Sequence, residues 1–391
     1  MRKGIIAAGS LLAALGGCNY GGAEQEQNSK SARPPAGGDP LAAHDDDKTP
    51  AQIPDAELRP LMQAQVVLDR LGFTPGVVDG KEGLSTANAV SGFQEANDLP
   101  VTGKLDDATR QALARWNAIP ATRVVTIPAG FAAGPFQKLP DDAADQAKLP
   151  ALGYETLDEK LAERFHTTVE TLAALNPGGK PATTGQAPLP PAPKPAASAS
   201  STSAAGASAP VALFRAGQQI RVPNVGGDAV DPAKVTDAAW RDTLVMLGVG
   251  SNQPQAARVV VSKSKGTLKA YDADDKLIAV YTATMGSEHD PLPLGRWKVL
   301  GLDKNPKFNF NPDLFWDAKP GDKKALLPPG PNGPVGVVWI DISKPHYGIH
   351  GTPHPETIGR AESHGCVRLT NWDVARLAQM VSAKTALLFE A

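Results

Sequence analysis

The sequence predicts a multidomain chain: a small three-helix bundle, a short α+β segment, and a mainly β domain that carries one helix near its end. Three observations predict it. At 391 residues the chain exceeds the roughly 250–300 residues at which single cores stop growing. Apolar residues recur at helical spacing between 55 and 117, then give way after about 256 to β-branched and aromatic runs punctuated by Gly and Pro. Polar, Gly-, Pro- and Ser-rich stretches separate these regions and read as linkers. With 39 basic and 41 acidic residues the net charge is −2, which argues against broad electrostatic attraction to nucleic acid or anionic lipid.

The N-terminus, MRKGIIAAGSLLAALGGC, places Arg2 and Lys3 before an apolar run and then small residues, the layout of an export signal over 1–18. It is shorter than the about 20 apolar residues a membrane-crossing helix needs. Its end, LGGC, resembles the lipobox of bacterial lipoproteins, with Gly16 where Ala, Ser or Thr is commoner. That resemblance implies a lipid on Cys18, a membrane anchor, and a place in the periplasm or cell envelope. Asn19 after the lipidated cysteine leans towards the outer rather than the inner membrane. The alternative is an ordinary signal peptide with an incidental cysteine. An exported protein lives where thiols pair. With Cys18 acylated, Cys366 has no partner, so it is either an intermolecular partner or a reactive group.

Residues 19–54 are polar and read as a disordered tether. Over 55–117, Leu58, Leu61, Gln65 and Leu68 follow helical spacing, Val90 and Phe93 mark a second helix, and Leu105, Ala108, Ala112 and Trp116 a third, with Asp106 as its cap. The wording LGFTPGVVDG, then FQ, VTG and DDAT, resembles the type 1 peptidoglycan-binding domain family. That family implies peptidoglycan as a partner.

Residues 150–225 follow. Two short helices capped by Thr156 and Thr168 and a strand near 216–224 resemble a LysM glycan-binding module, interrupted by a Pro/Ala/Ser-rich insert over 179–212. His166 reads as a surface residue. From 257 to 391 the β domain runs through ARVVVSKSKGTLKAY, KLIAVYTATMG, RWKVL, VGVVWIDI and HYGIHG to a helix begun by Thr370 and Asp373, with Val374, Leu377, Ala378 and Val381 on one face, and a last strand ALLFE.

Of seven histidines, His346, His350, His354 and His364 crowd near Cys366. The four-residue spacing of the first three would stack them as metal ligands on a helix, but Gly348, Gly351, Pro353 and Pro355 make a helix there untenable, so no metal is expected. A Cys/His pair fits better. A thiol needs a base or a positive neighbour to react, and Gly365 lets the backbone approach an acyl carbonyl.

IHGTPHPETIGRAESHGCVRL resembles the signature of the L,D-transpeptidase (YkuD) family: HG, a short gap, then SHGC and a basic residue two positions on. PLPLGRWKV stands where that family has a TPxG strand, with Leu292 and Leu294 in place of threonines, and LPPGPNGPVG is also similar. The resemblance implies a YkuD-type β-sandwich with a helix. It implies Cys366 as nucleophile, His350 as general base, and the Gly351 carbonyl as the group orienting the imidazole. Backbone N–H groups at Gly365 and Cys366 would receive the oxyanion, and His364 would shape the site or assist proton transfer. In the substrate-binding part, Ser363 would hold the loop and Arg368 would take a carboxylate, for which a guanidinium fork suits. No cofactor is implied. The reaction implied is acyl transfer between peptidoglycan stem peptides through a cysteine thioester, or attachment of a protein to the wall. The alternatives are an L,D-carboxypeptidase or lipoprotein-releasing hydrolase on the same fold, or a non-catalytic tether between membrane and wall.

Overall fold

Side-chain caps start the helices where the sequence signals them. Asp106 accepts from Thr109 N at 2.9 Å, Thr156 and Glu159 close a reciprocal capping box, Thr168 accepts from Thr171 N, and Thr370 from Asp373 N at 3.1 Å. The computed structural model describes residues 53–183, 212–226, 229–316, 318 and 321–391. The signal segment with Cys18, nearly all of the 19–54 tether and most of the 179–212 insert lie outside the described residues.

The bundle comprises α1 (Pro60–Leu71), α2 (Leu84–Ala96) and α3 (Asp107–Leu113). Leu58, expected on the first helix, lies before it and is 97% exposed, because Pro60 opens that helix. Two buried glutamines hold the turns between helices. Gln65 accepts from Gly80 N at 2.7 Å, and Gln94 from Thr102 N at 2.8 Å and Gly103 N at 2.9 Å. These bonds give the DG and VTG turns their fixed place against the helices.

A second unit follows: β1 (Thr122–Thr126), α4 (Ala143–Gln146), α5 (Leu157–Arg164), α6 (Val169–Leu175) and β2 (Gln219–Pro223). Strand β1 pairs antiparallel with β2 from Thr122↔Pro223 to Thr126↔Gln219, so strand, two helices and strand share one apolar cluster built on Leu161, Phe165, Leu172 and Ile220. The first strand lies N-terminal to the range in which the sequence suggested this unit. Helix α7 (Ala238–Leu247), capped by Asp237 and closed by Gly248 in the left-handed region, links it to the β domain.

The β domain contains β3 (Arg258–Ser262), β4 (Thr267–Tyr271), β5 (Leu277–Thr282), β6 (Thr284–Met285), β7 (Gly295–Lys304), β8 (Phe308–Phe310), β9 (Ala325–Leu327), β10 (Val338–Ile342), β11 (Gly348–His350), β12 (Val367–Arg368), α8 (Asn371–Met380) and β13 (Ala386–Glu390). Nine strands form one sheet in the order β5-β4-β3-β13-β7-β10-β11-β12-β6, with β8 and β9 a separate ribbon. The expected sandwich is instead a single curled sheet. Its two edges, β5 and β6, are parts of one extended stretch separated only by Ala283, so the sheet comes round nearly to close on itself. Helix α8 fills the inside. Trp372, Val374 and Leu377 are fully buried there with Val259, Ile340, Ile349 and Val367, each such side chain worth about 1.5–3 kcal/mol of apolar burial.

The three units are joined through buried polar contacts. Thr74 N donates to Val280 O at 2.9 Å and Val280 N to Gly72 O at 3.0 Å, so the chain leaving α1 pairs with the edge strand β5. Asn88 donates to Thr282 Oγ1 at 3.1 Å, and Glu95 meets Lys269. At the centre, Arg376 of α8 binds Asp69 of α1 with two bonds of 3.0 and 2.9 Å. His166 is not a surface residue. It is wholly buried, its Nδ1 3.3 Å from Asp69 and its Nε2 donating to Leu247 O at 2.9 Å, its ring stacked 4.9 Å from Trp372. The sequence around His166 is polar and local; its partners come from the bundle, α7 and α8.

Candidate active site

Strand alternation sorts the residues of the site. Strand β11 pairs in parallel with β12, Ile349 opposite Val367 and His350 opposite Arg368. Ile349 and Val367 point into the core at 1% and 0% exposure, so His350, Arg368 and, two residues earlier, Cys366 project from the other face. Continuing that register sets Cys366, the residue just before β12, beside Gly348, two positions from His350 on β11.

The imidazole is held on two sides. Its Nδ1–H donates to the Gly351 carbonyl at 2.7 Å, which leaves Nε2 as the unprotonated nitrogen that can accept a proton. Trp339, directly opposite His350 on β10, stacks on the ring at 5.5 Å and 20°. Burial pushes the His350 pKa down to about 4; the positive charge of Arg368 adds to this, and the Gly351 bond opposes it.

Cys366 is partly exposed and forms no disulfide. Its thiol lies 4.0 Å from the His346 carbonyl. Burial raises its pKa above the usual thiol value. A hydrogen bond from the Gly348 backbone and the charge of Arg368 work in the opposite direction, while Asp290 adds to the rise. Both shifts favour neutral partners. They point to a protonated thiol and a neutral imidazole.

The loop before β12 is tied down. Ser363 Oγ donates to the Cys366 carbonyl and accepts from Gly286 N, both at 2.6 Å, so this buried hydroxyl is spent within the protein, between the loop and the end of β6. Gly365 sits at φ +89°, and a side chain there would run into the ring of Tyr347. Glycine is required at this position both for the left-handed backbone and for that ring. His364 meets Phe315 edge-on at 5.0 Å and lies 5.6 Å from Trp316, which itself stacks on His289 at 4.6 Å. The charge of Arg368 reaches both Cys366 and His350.

His346 falls in a turn at φ +68°, and His354 caps a short helical turn 3.6 Å from Glu356. Among the described residues no three His, Cys, Asp or Glu side chains cluster as metal ligands. Leu292 packs into the core, whereas Leu294 is exposed. Trp339 and Tyr347 were not singled out from the sequence. A signal for Trp339 was there, because Val338, Ile340 and Ile342 alternate inward and leave it on the His350 face.

Comparison with known proteins agrees with this geometry. Residues 256–388 match the family described as "L,D-transpeptidase catalytic domain", YkuD, and residues 60–113 the one described as "Putative peptidoglycan binding domain". A Bacillus licheniformis protein named "Putative L,D-transpeptidase YkuD" is 30% identical over 139 residues, 36% of this chain and 68% of the relative. The Bacillus subtilis "Putative L,D-transpeptidase YqjB" is 30% identical over 135 residues, 33% of this chain and 69% of the relative. The solved structure of an L,D-transpeptidase from Mycobacterium smegmatis aligns at 20% identity and a TM-score of 0.29, covering 34% of this chain and 58% of that one. The match to the catalytic-domain family spans both His350 and Cys366, and with relatives covered over more than two thirds of their length the chain belongs to the L,D-transpeptidase (YkuD) family.

Proposed function

We propose that the protein is an L,D-transpeptidase that joins peptidoglycan stem peptides through a thioester on Cys366. What supports this reading is that His350 ends β11 and Cys366 immediately precedes its parallel neighbour β12, with the imidazole bonded so that Nε2 is its open nitrogen. Cys366 attacks the carbonyl of the third stem residue while its proton passes to Nε2 of His350. Terminal D-alanine then leaves, taking that proton on its nitrogen. An amine of a second stem attacks the thioester, its proton goes to His350 and on to the departing sulfur, and a new amide replaces the old one without an external energy source. Backbone N–H groups at Gly365 and Cys366 stabilise the oxyanion, a contribution of about 3–4 kcal/mol per donor in comparable sites. Arg368 receives a stem carboxylate, and His364 with its aromatic neighbours shapes the wall of the cleft.

The match of residues 60–113 supports the bundle as the part that grips peptidoglycan and raises the local concentration of stems. The two paired strands β1 and β2 bracketing helices α5 and α6, with the short α4 ahead of them, support a LysM-like glycan reader for the middle unit. We place the enzyme in the cell envelope, held to a membrane, more readily the outer one, by a lipid on Cys18. No helix of the described residues is long and apolar enough to cross a membrane.

Incubation with tetrapeptide muropeptides and mass spectrometry of the products tests the reading. Wild-type protein should give dimers and a thioester adduct on Cys366, and Cys366→Ala should give neither. Tripeptide monomers alone from the wild type would make it a carboxypeptidase, and no product at all would favour the tether.

A further inference from the structure

The catalytic domain does not build its site alone. The segment LPPGPNGPVG, residues 327–336, lies between the middle unit and strands β10 and β11. On the side of the middle unit, Leu152 N donates to Pro329 O at 2.9 Å, Asn332 N to Leu152 O at 3.0 Å, and Asn332 Nδ2 to Glu159 Oε1 at 2.6 Å. On the side of the site, Gly351 N donates to Val335 O at 3.1 Å. The residue whose carbonyl orients His350 is thus hung from this segment.

Asn371, the wholly buried first residue of α8, locks the arrangement from behind. Its Nδ2 donates to Glu163 Oε1 at 2.7 Å and to Pro331 O at 3.1 Å, and its Oδ1 accepts from Val337 N at 3.2 Å. That oxygen fills the space beside Gly336 and Gly351, where a Cβ on either glycine would collide with it. The second oxygen of Glu163 accepts from the hydroxyl of Tyr154. A primary amide has one donating and one accepting end, and its neighbours decide which way it points. Glu163 and Pro331 supply acceptors, so the amide nitrogen faces them and the oxygen faces Val337 and Gly351.

We infer that Glu163, on α5 of the middle unit, is a positioning residue for the catalytic base: through Asn371 it fixes Gly351, and the Gly351 carbonyl fixes His350. The inference rests on the assignment of His350 as the base. It makes the middle unit part of the catalytic apparatus, whatever glycan it also reads. A buried carboxylate is costly to keep, and burial holds this one near a pKa of about 7 against the bonds from Tyr154 and Asn371. An apolar side chain would serve packing alone at lower cost. What the carboxylate supplies is two acceptors at fixed places.

The test compares Glu163→Ala and Glu163→Gln in the full chain, reading muropeptide turnover, the pH dependence of Cys366 alkylation by iodoacetamide, and the melting temperature. Glu163→Gln can accept from Asn371 through its carbonyl and donate to Tyr154, and should keep most of the turnover. Glu163→Ala should lose about tenfold or more in kcat with KM within about twofold, the size expected when a catalytic group is slightly misplaced, and should shift the alkylation profile. A Glu163→Ala protein with wild-type kcat and alkylation profile overturns the inference, as does a loss confined to KM or melting temperature. Should Glu163→Ala not fold, the double variant Glu163→Gln/Tyr154→Phe carries the test: it leaves the glutamine amide without its acceptor and should fall below Glu163→Gln alone, and equal kcat overturns the inference. If wild-type protein turns over no muropeptide, the proposed function fails separately, and the alkylation profiles still decide the role of Glu163.

Discussion

Trp339 and His350 face each other across β10 and β11 with ring centroids 5.5 Å apart and planes 20° from parallel. The indole also lies over Gly348, on the strand that carries the histidine. It therefore limits rotation of the imidazole on the side that the Gly351 bond leaves open.

Replacing that indole should loosen the base without removing it. Trp339→Ala is expected to lower kcat by about tenfold, with Trp339→Phe closer to wild type because a smaller ring still covers the imidazole. Steady-state turnover of a tetrapeptide muropeptide measures it. A Trp339→Ala enzyme with unchanged kcat would show that the Gly351 bond alone suffices.

The opposed shifts of His350 and Cys366 predict a specific pH response. A base with a pKa of about 4 stays unprotonated well below neutrality, so the acid limb of kcat/KM should lie near pH 4 rather than near the ordinary histidine value. Alkylation of Cys366 should rise through the alkaline range without the neutral plateau of a preformed ion pair. Arg368 depresses both groups. Arg368→Gln should then move the acid limb upward and the alkylation limb upward as well. The folded-state pKa of His350 lies below its unfolded value, so folding opposes its protonation, and its effect on stability is a loss as pH falls from about 6.5 towards 4. A titration of melting temperature over that range, compared with His350→Gln, isolates the contribution.

The bond between Asp69 and Arg376 predicts mechanical coupling of the wall-binding bundle to the catalytic core. Burial alone would raise the Asp69 carboxyl, but Arg376 and His166 outweigh it and hold it below the usual carboxylate range. Its stabilising effect is present at neutral pH and is lost only as pH falls below the ordinary carboxylate value. Asp69→Ala leaves the buried guanidinium with only Asp373, 3.8 Å away, and should cost about 3–5 kcal/mol in chemical denaturation, whereas Asp69→Leu/Arg376→Met should recover much of it. A loss below about 1 kcal/mol in the single variant would mean that water reaches Arg376.

What the sequence made legible was local. Caps at Asp106, Thr156, Thr168 and Thr370 appear where the polar residue precedes the apolar run, because a cap acts over three residues. Cys366 and His350 stood out because the HG and SHGC motifs that hold them are short and local. His166 did not, since its burial depends on Asp69, Leu247 and Trp372, each from a different element. Strand β1 was hidden for a related reason: its partner β2 lies almost a hundred positions away, with α4, α5, α6 and a Pro-rich insert between them. Curling of the sheet was not readable either. It involves the long strand β7, which pairs with β13 over 295–298 and with β10 over 299–304, partners distant in sequence.

Pairing of Gly72 and Thr74 with Val280 ties the bundle directly to the edge of the catalytic sheet. On the proposed activity, the enzyme acts as a caliper: a stem is within reach only at a set offset from the strand of wall already held. Successive bonds laid down by one anchored molecule would then carry a characteristic spacing, written into the mesh by the width of the protein itself.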